Sequence, residues 1–137
     1  MRLRALARPR TMDEGVLDFT AHVSPLRSEH DLLVGREYTA MGLGFWDGVA
    51  WVEIATEGGF LMSIPLTEFE IVEGSASAFW TARVDRDGTV RLWPPTFYEG
   101  TYHSDLADLE PGAVSDFARV RAMIESEDRR RSRNLSM

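Results

Sequence analysis

The chain has 137 residues, 44% of them apolar and 10% aromatic, no cysteine, and a formal net charge of −7. That length and apolar content describe one folded domain and exclude global disorder, while the missing cysteines exclude disulfides, thiolate catalysis and Cys-ligated zinc. The absence of cysteine fits a reducing cytoplasm, and no apolar run reaches the roughly 20 residues of a membrane span.

The chain is expected to divide into a basic N-terminal arm (1–12), one acidic α+β domain (13–128) and a basic C-terminal tail (129–137). The arm carries Arg2, Arg4, Arg8 and Arg10 with no acid near them. Pro9 interrupts any helix there, and no apolar stretch follows that would make a secretory signal. The tail carries Arg129, Arg130, Arg131 and Arg133. Seven arginines and all 22 acids lie between residues 11 and 128, and there is no lysine. A body so charged repels nucleic acid and acidic lipid and attracts basic proteins.

In chain order, Gly15–Val23 reads as a possible first strand. Arg36–Phe45 alternates apolar and small residues at period 2, the mark of a strand. Trp46-Asp47-Gly48 places Asp-Gly at a hairpin turn, where glycine accepts positive φ. Val49–Thr56 returns, with Val49, Trp51 and Glu53 on one face and Val52 and Ile54 on the other. Glu57-Gly58-Gly59 is the next turn, then Phe60–Ile64, ended by Pro65. Phe69–Val72 is a short strand. Phe79–Val84 and Thr89–Trp93 flank the Asp85-Arg86-Asp87-Gly88 turn. Gly42 and Gly44 inside a strand pattern mark a bend or bulge. A short helix follows over His103–Leu109, with Ser104 as N-cap and acids in its first turn. Pro111 starts a second helix running to about Asp128. Its apolar stripe is Ala113, Val114, Phe117, Val120, Met123 and Ile124. The expected fold class is α+β: a curved antiparallel sheet or small SH3-like barrel of five to seven strands, with C-terminal helices.

No motif for chemistry emerges. His22, His30 and His103 have no metal-ligand spacing. Gly42-Leu43-Gly44 lacks a third glycine and a helix after it. Asp85-Arg86-Asp87-Gly88 lacks the twelfth-position glutamate of a calcium loop. Pairs such as Glu68 and Glu70 arise by accident among 22 acids. No catalytic residue, cofactor or metal site is therefore assigned. The remaining constellation interleaves aromatics with acids at turns: Phe45-Trp46-Asp47, Phe97-Tyr98-Glu99, then Tyr102 and Asp105. Aromatics give desolvated contact area and acids steer a basic partner. The candidate partner-binding residues are Trp46, Asp47, Glu57, Tyr98, Glu99, Tyr102 and Asp105.

The stretches LLVGREYTAMGLGFWDGVAWVEIA, PLTEFEIVEG and FYEGTYHSDLADLEPGAVSDFARV resemble small bacterial immunity proteins encoded beside polymorphic toxins. The matching residues are Gly35, Arg36, Glu37, Tyr38, Asp47, Gly48, Trp51, Pro65, Phe69, Glu70, Gly74, Leu106, Pro111, Ala113, Val114 and Phe117. The resemblance covers residues 32–125. The opening twelve residues fall outside it, as they would if the start codon were placed upstream of the true one. The matching positions are structural, so no functional residue carries over. The resemblance implies a cytoplasmic antitoxin that binds one cognate toxin domain, a protein that could be a basic nuclease, and that uses no nucleic acid or membrane partner. The alternative expectation is a small ligand- or peptide-binding barrel acting as an adaptor or regulator.

Overall fold

A computed structural model describes residues 1–7, 32–56 and 61–135. The expected strand at Gly15–Val23, together with His22, His30 and Glu57, lies outside the described residues.

Among the described residues, eight strands form two antiparallel sheets, with two helices after them. The smaller sheet has the order β2-β1-β6, with β1 at Arg2–Ala5, β2 at Glu37–Thr39 and β6 at Phe69–Glu73. The larger has the order β5-β4-β3-β8-β7. Here β3 is Gly42–Trp46, β4 Val49–Ala55, β5 Leu61–Pro65, β7 Thr81–Val84 and β8 Val90–Trp93. The fold is α+β, and the larger sheet ends on β5 and β7 without closing, so the barrel alternative is set aside.

The described part of the expected N-terminal arm is a strand, Arg2–Ala5, and residues 8–12 lie outside the described residues. Met1, Leu3 and Ala5 are buried in the core while Arg2 and Arg4 lie on the opposite face, Arg2 against Asp128, a period-2 strand pattern. Strand β1 is the central strand of the smaller sheet. Arg36–Phe45 is not one strand either. The chain turns at Ala40–Met41 and passes from one sheet to the other: the Ala40 N–H donates to the Met1 carbonyl at 2.9 Å and the Met41 N–H to the Glu53 carbonyl at 2.8 Å. The Trp80 indole N–H holds the crossing by donating to the Met41 carbonyl at 2.9 Å.

The two sheets face each other across a core of Leu3, Tyr38, Leu43, Val52, Ile54, Ile64 and Phe69. A second core lies on the other side of the larger sheet, where Met41, Ala55 and Phe97 meet the helices. Helix α1 is Tyr102–Ala107 and α2 is Pro111–Leu135. Ala113, Phe117, Val120 and Ile124 form the buried stripe of α2, whereas Val114 and Met123 are exposed. Ser104 lies inside α1, and Thr101 takes the N-cap position, its hydroxyl donating to the Asp105 carboxylate at 3.1 Å. The basic segment after residue 128 is also no frayed tail: α2 continues through it for two more turns. Asp128 and Glu127 are buried where the apolar stripe would continue. Asp128 accepts from Arg2 Nε at 3.2 Å and Thr39 Oγ1 at 2.8 Å. Glu127 accepts from the Ala78 N–H at 2.9 Å and lies 3.7 Å from Arg131.

Candidate functional site

One face of the larger sheet packs on the smaller sheet; the other carries the candidate site. Antiparallel register assigns the outer face. Gly44 is opposite Trp51 on β4 and Arg91 on β8, Gly42 is opposite Glu53, and Glu53 is opposite Ser63 on β5. Trp46 and Val49 close the same face at the hairpin end.

The Asp47-Gly48 turn has positive φ at both positions, 52° and 71°, which is the two-residue hairpin geometry matching strand twist. Asp47 is exposed at its tip. Trp46 folds back over β3: a Cβ added to Gly44 would meet its ring at 2.4 Å. Its ring lies parallel to Trp51, with centroids 5.2 Å apart and planes at 5°. Trp93 lies over Gly42 in the same way, where a Cβ would meet Trp93 Cδ1 at 2.7 Å. The two glycines therefore admit indoles rather than bend the strand, and β3 pairs with β4 in regular register across both.

The other end of this face is covered by the turn over Pro95–Tyr98 and by α1. Tyr98 is a strut, not a free anchor. Its hydroxyl donates to the Thr81 and Arg91 carbonyls, the latter at 2.9 Å, and accepts from the Trp93 N–H at 3.3 Å. The Arg83 guanidinium lies 4.6 Å above its ring. Burial raises the pKa of its hydroxyl. Tyr102 is only 4% exposed, stacks on Phe97 at 5.2 Å and donates to Asp116 at 3.2 Å. Burial and then the Asp116 charge raise the pKa of its hydroxyl. A ring so enclosed offers no surface to a partner, so Tyr102 leaves the set of contact candidates. Glu99 is exposed and Asp105 half-buried.

The charges are less sorted in space than along the chain. Arg2 and Arg4 lie within 4.0 Å of Glu37, Arg4 is 3.1 Å from Glu70, and the terminal amine is 3.8 Å from Glu73. Two long stretches carry acids and no arginine, 37–82 and 92–118. In the first, Glu37, Glu70 and Glu73 meet the N-terminal amine or Arg2 and Arg4 in space, while the second contains Glu99, Asp105, Asp108, Glu110 and Asp116, with His103 among them. Asp116 pairs with Arg119 at 2.8 Å. Among the other four stands Leu109, 64% exposed, with φ of +56°. Leu109 follows the C-cap of α1: its N–H donates to the Leu106 carbonyl and the Glu110 N–H to the Asp105 carbonyl, a motif that usually places glycine there. The Glu110 carboxylate accepts from the N–H groups of Gly112 at 3.0 Å and Ala113 at 2.8 Å, which lowers its pKa and caps α2.

Sequence reasoning missed a polar cluster beneath α1. Glu53 is 2% exposed. Its Oε1 accepts from Ser63 Oγ at 2.5 Å, and its Oε2 has no hydrogen-bond partner. His103 Nε2 lies 3.8 Å from that oxygen, on a side chain 42% exposed. A glutamate sharing a strand face with glycines was the available signal. Among the described residues no three His, Cys, Asp or Glu side chains gather to hold a metal ion, and no helix is long and apolar enough to cross a membrane.

No family model, curated protein or solved structure matches this chain.

Proposed function

We propose that this protein is a non-enzymatic inhibitor of the immunity type, which captures a basic bacterial toxin domain on the acidic surface around Leu109. The observation that carries the reading is the arginine-free stretch 92–118, in which an exposed leucine, Leu109, stands between Asp108 and Glu110 in the chain, with Glu99 and Asp105 in the turn and helix before it. An exposed apolar side chain supplies contact area that a partner can desolvate, and the neighbouring carboxylates supply charge complementary to a basic surface. A toxin that cleaves nucleic acid needs a cationic cleft, and carboxylates can occupy it as substrate phosphates would. Such steering lifts association toward 10^8–10^9 per molar per second at low salt, which suits an inhibitor that must act before one toxin molecule does harm. The hairpin end adds Trp46, on the sheet face that α1 covers at its other end, and the exposed Asp47 at the turn.

The resemblance to immunity proteins supports the same reading. The test is calorimetry and stopped-flow binding against the toxin domain encoded by the neighbouring gene, at low and high salt. A complex whose association rate falls with salt is expected, and Asp108→Lys with Glu99→Lys should slow association about tenfold and flatten that dependence. No complex at micromolar concentrations, or a salt dependence untouched by both reversals, refutes the proposal.

A further inference from the structure

Four buried polar atoms without hydrogen-bond partners gather on the outer face of the larger sheet: Trp51 Nε1, Glu53 Oε2, Arg91 Nε and Trp93 Nε1. Buried polar groups are almost always paired, so a cluster of orphans needs an explanation. The register sets them in two adjacent rows. Arg91 and Trp51 flank Gly44; Trp93 and Glu53 flank Gly42. Because β3 contributes only glycine to both rows, its backbone is a floor between β8 and β4, which stand two strand spacings, or roughly 9–10 Å, apart. Trp93 lies on that floor at Gly42 and Trp46 at Gly44, so that with Trp46 displaced the floor at Gly44 becomes a trough between Arg91 and Trp51.

The composition of the trough selects a ligand. It offers three donors (two indole N–H groups and a guanidinium N–H), one carboxylate acceptor, and broad aromatic planes. A cation would leave the donors unpaired beside Arg91 and His103, and an anion would meet Glu53. A ring with apolar faces and hydroxyls around its rim satisfies all four atoms, since each hydroxyl both accepts and donates. We propose that this trough binds a carbohydrate, with a pyranose ring stacked on Trp51 and its hydroxyls accepting from Trp51, Trp93 and Arg91 while one donates to Glu53 Oε2.

The Trp46 indole now takes the place of that ring. It lies parallel on Trp51 and closes over Gly44. Trp46 also lines a cleft of about 640 Å³ between the two hairpin ends, bordered by Asp47, Val49 and Asp87. The proposal requires that indole to swing off Gly44, and the adjoining cleft is space that would take it. This site goes beyond toxin capture and does not depend on it.

The experiment titrates glucose, N-acetylglucosamine and maltose separately into the full chain, to about 0.1 M so that millimolar binding is saturated. Indole N–H resonances are followed by NMR. The expected result is a saturable shift of the Trp51 and Trp93 indole signals with at least one sugar. Trp51→Phe and Glu53→Gln should weaken that binding about tenfold or more, while Asp108→Lys on the docking surface leaves it unchanged. If Glu53→Gln fails to fold, Trp51→Phe and the unsubstituted indole signals still decide. No shift at either indole with any sugar overturns the proposal. So does adenosine, run as a planar control, shifting both indoles at lower concentration than every sugar.

Discussion

Arg2→Met tests whether the basic N-terminus is part of the fold. The Asp128 side chain is 4% exposed and that of Arg2 21%. Arg2 Nε reaches Asp128 Oδ2 at 3.2 Å and a terminal nitrogen reaches the Asp128 carbonyl at 3.3 Å. Without the guanidinium, Thr39 alone would serve a carboxylate whose Oδ1 already lacks a partner. Breaking a buried ion pair from one side costs about 3–5 kcal/mol. Arg2 retains some access to water, which lowers this to roughly 2–3 kcal/mol. Arg4 is the internal control: it neighbours Arg2 in sequence, yet its pair with Glu70 is 41% and 45% exposed. Such a pair contributes about 0–1 kcal/mol, so Arg4→Met should be nearly silent. With a urea slope of about 2 kcal/mol/M, Arg2→Met should lower the unfolding midpoint by about 1–1.5 M and Arg4→Met by less than about 0.5 M, at unchanged slope. Adding Asp128→Leu to Arg2→Met should recover most of the loss, because both charges then leave the interior together. Equal midpoints for Arg2→Met and Arg4→Met would refute the reasoning and return the N-terminus to the status of a solvated arm.

Two other predictions follow from the α1–α2 junction. Leu109 has φ of +56° and is 64% exposed, so Leu109→Gly and Leu109→Ala lose the same few contacts, but only alanine keeps the left-handed strain of about 1–2 kcal/mol. Glycine gives back part of that in unfolded-chain entropy, about 0.4–1 kcal/mol, so it should be the more stable variant by roughly 0.5–1 kcal/mol in urea titration; a more stable alanine variant contradicts the assigned backbone. Both variants should weaken toxin binding alike, which separates the contact from the conformation. The pH prediction concerns Glu110, whose carboxylate pKa is lowered from 4.5 by the Gly112 and Ala113 N–H groups. A lowered folded-state pKa means that its stabilisation is fully present above the unfolded-state value and is lost as pH falls through the folded-state value. Glu110→Gln should therefore flatten the decline of the urea midpoint below about pH 4.5; an unchanged acid limb refutes the cap.

Strands were legible in the sequence wherever a turn stood next to alternation. Asp47-Gly48 fixed the β3–β4 hairpin, and the Trp51/Glu53 and Val52/Ile54 faces came out as the register has them. The acidic turn at Asp85–Gly88 likewise marked β7 and β8. What escaped was long-range pairing. MRLRA alternates as well as any segment, but its partners lie 33 to 71 residues away at Glu37–Thr39 and Phe69–Glu73, and the four arginines drew attention to charge instead. The crossing at Ala40–Met41 was hidden because both residues are small or apolar and each continues the alternation. The end of α2 was misplaced for a similar reason: Glu127 and Asp128 read as a polar terminus, whereas partners on other elements bury them.

The same distinction governs the candidate site. A charge count along a chain is a statement about the unfolded polymer until pairing is known. Here the basic ends return to the acidic body: Arg2 and Arg4 meet Glu37, Glu70 and Asp128, and Arg131 meets Glu127. At a Debye length of about 8 Å, pairs this close cancel before a partner senses them. The field available for steering is then set by acids outside these ion pairs, and Glu99, Asp105, Asp108 and Glu110 lie within twelve residues of one another in the chain. That moves the proposed docking surface from the hairpin ends toward α1. It also explains why Tyr98 and Tyr102 are not its anchors, because their hydroxyls and rings hold α1 and the preceding turn against β8 and α2. They hold the acidic segment in place, and Leu109 is an exposed apolar group within that segment that the proposed docking would use.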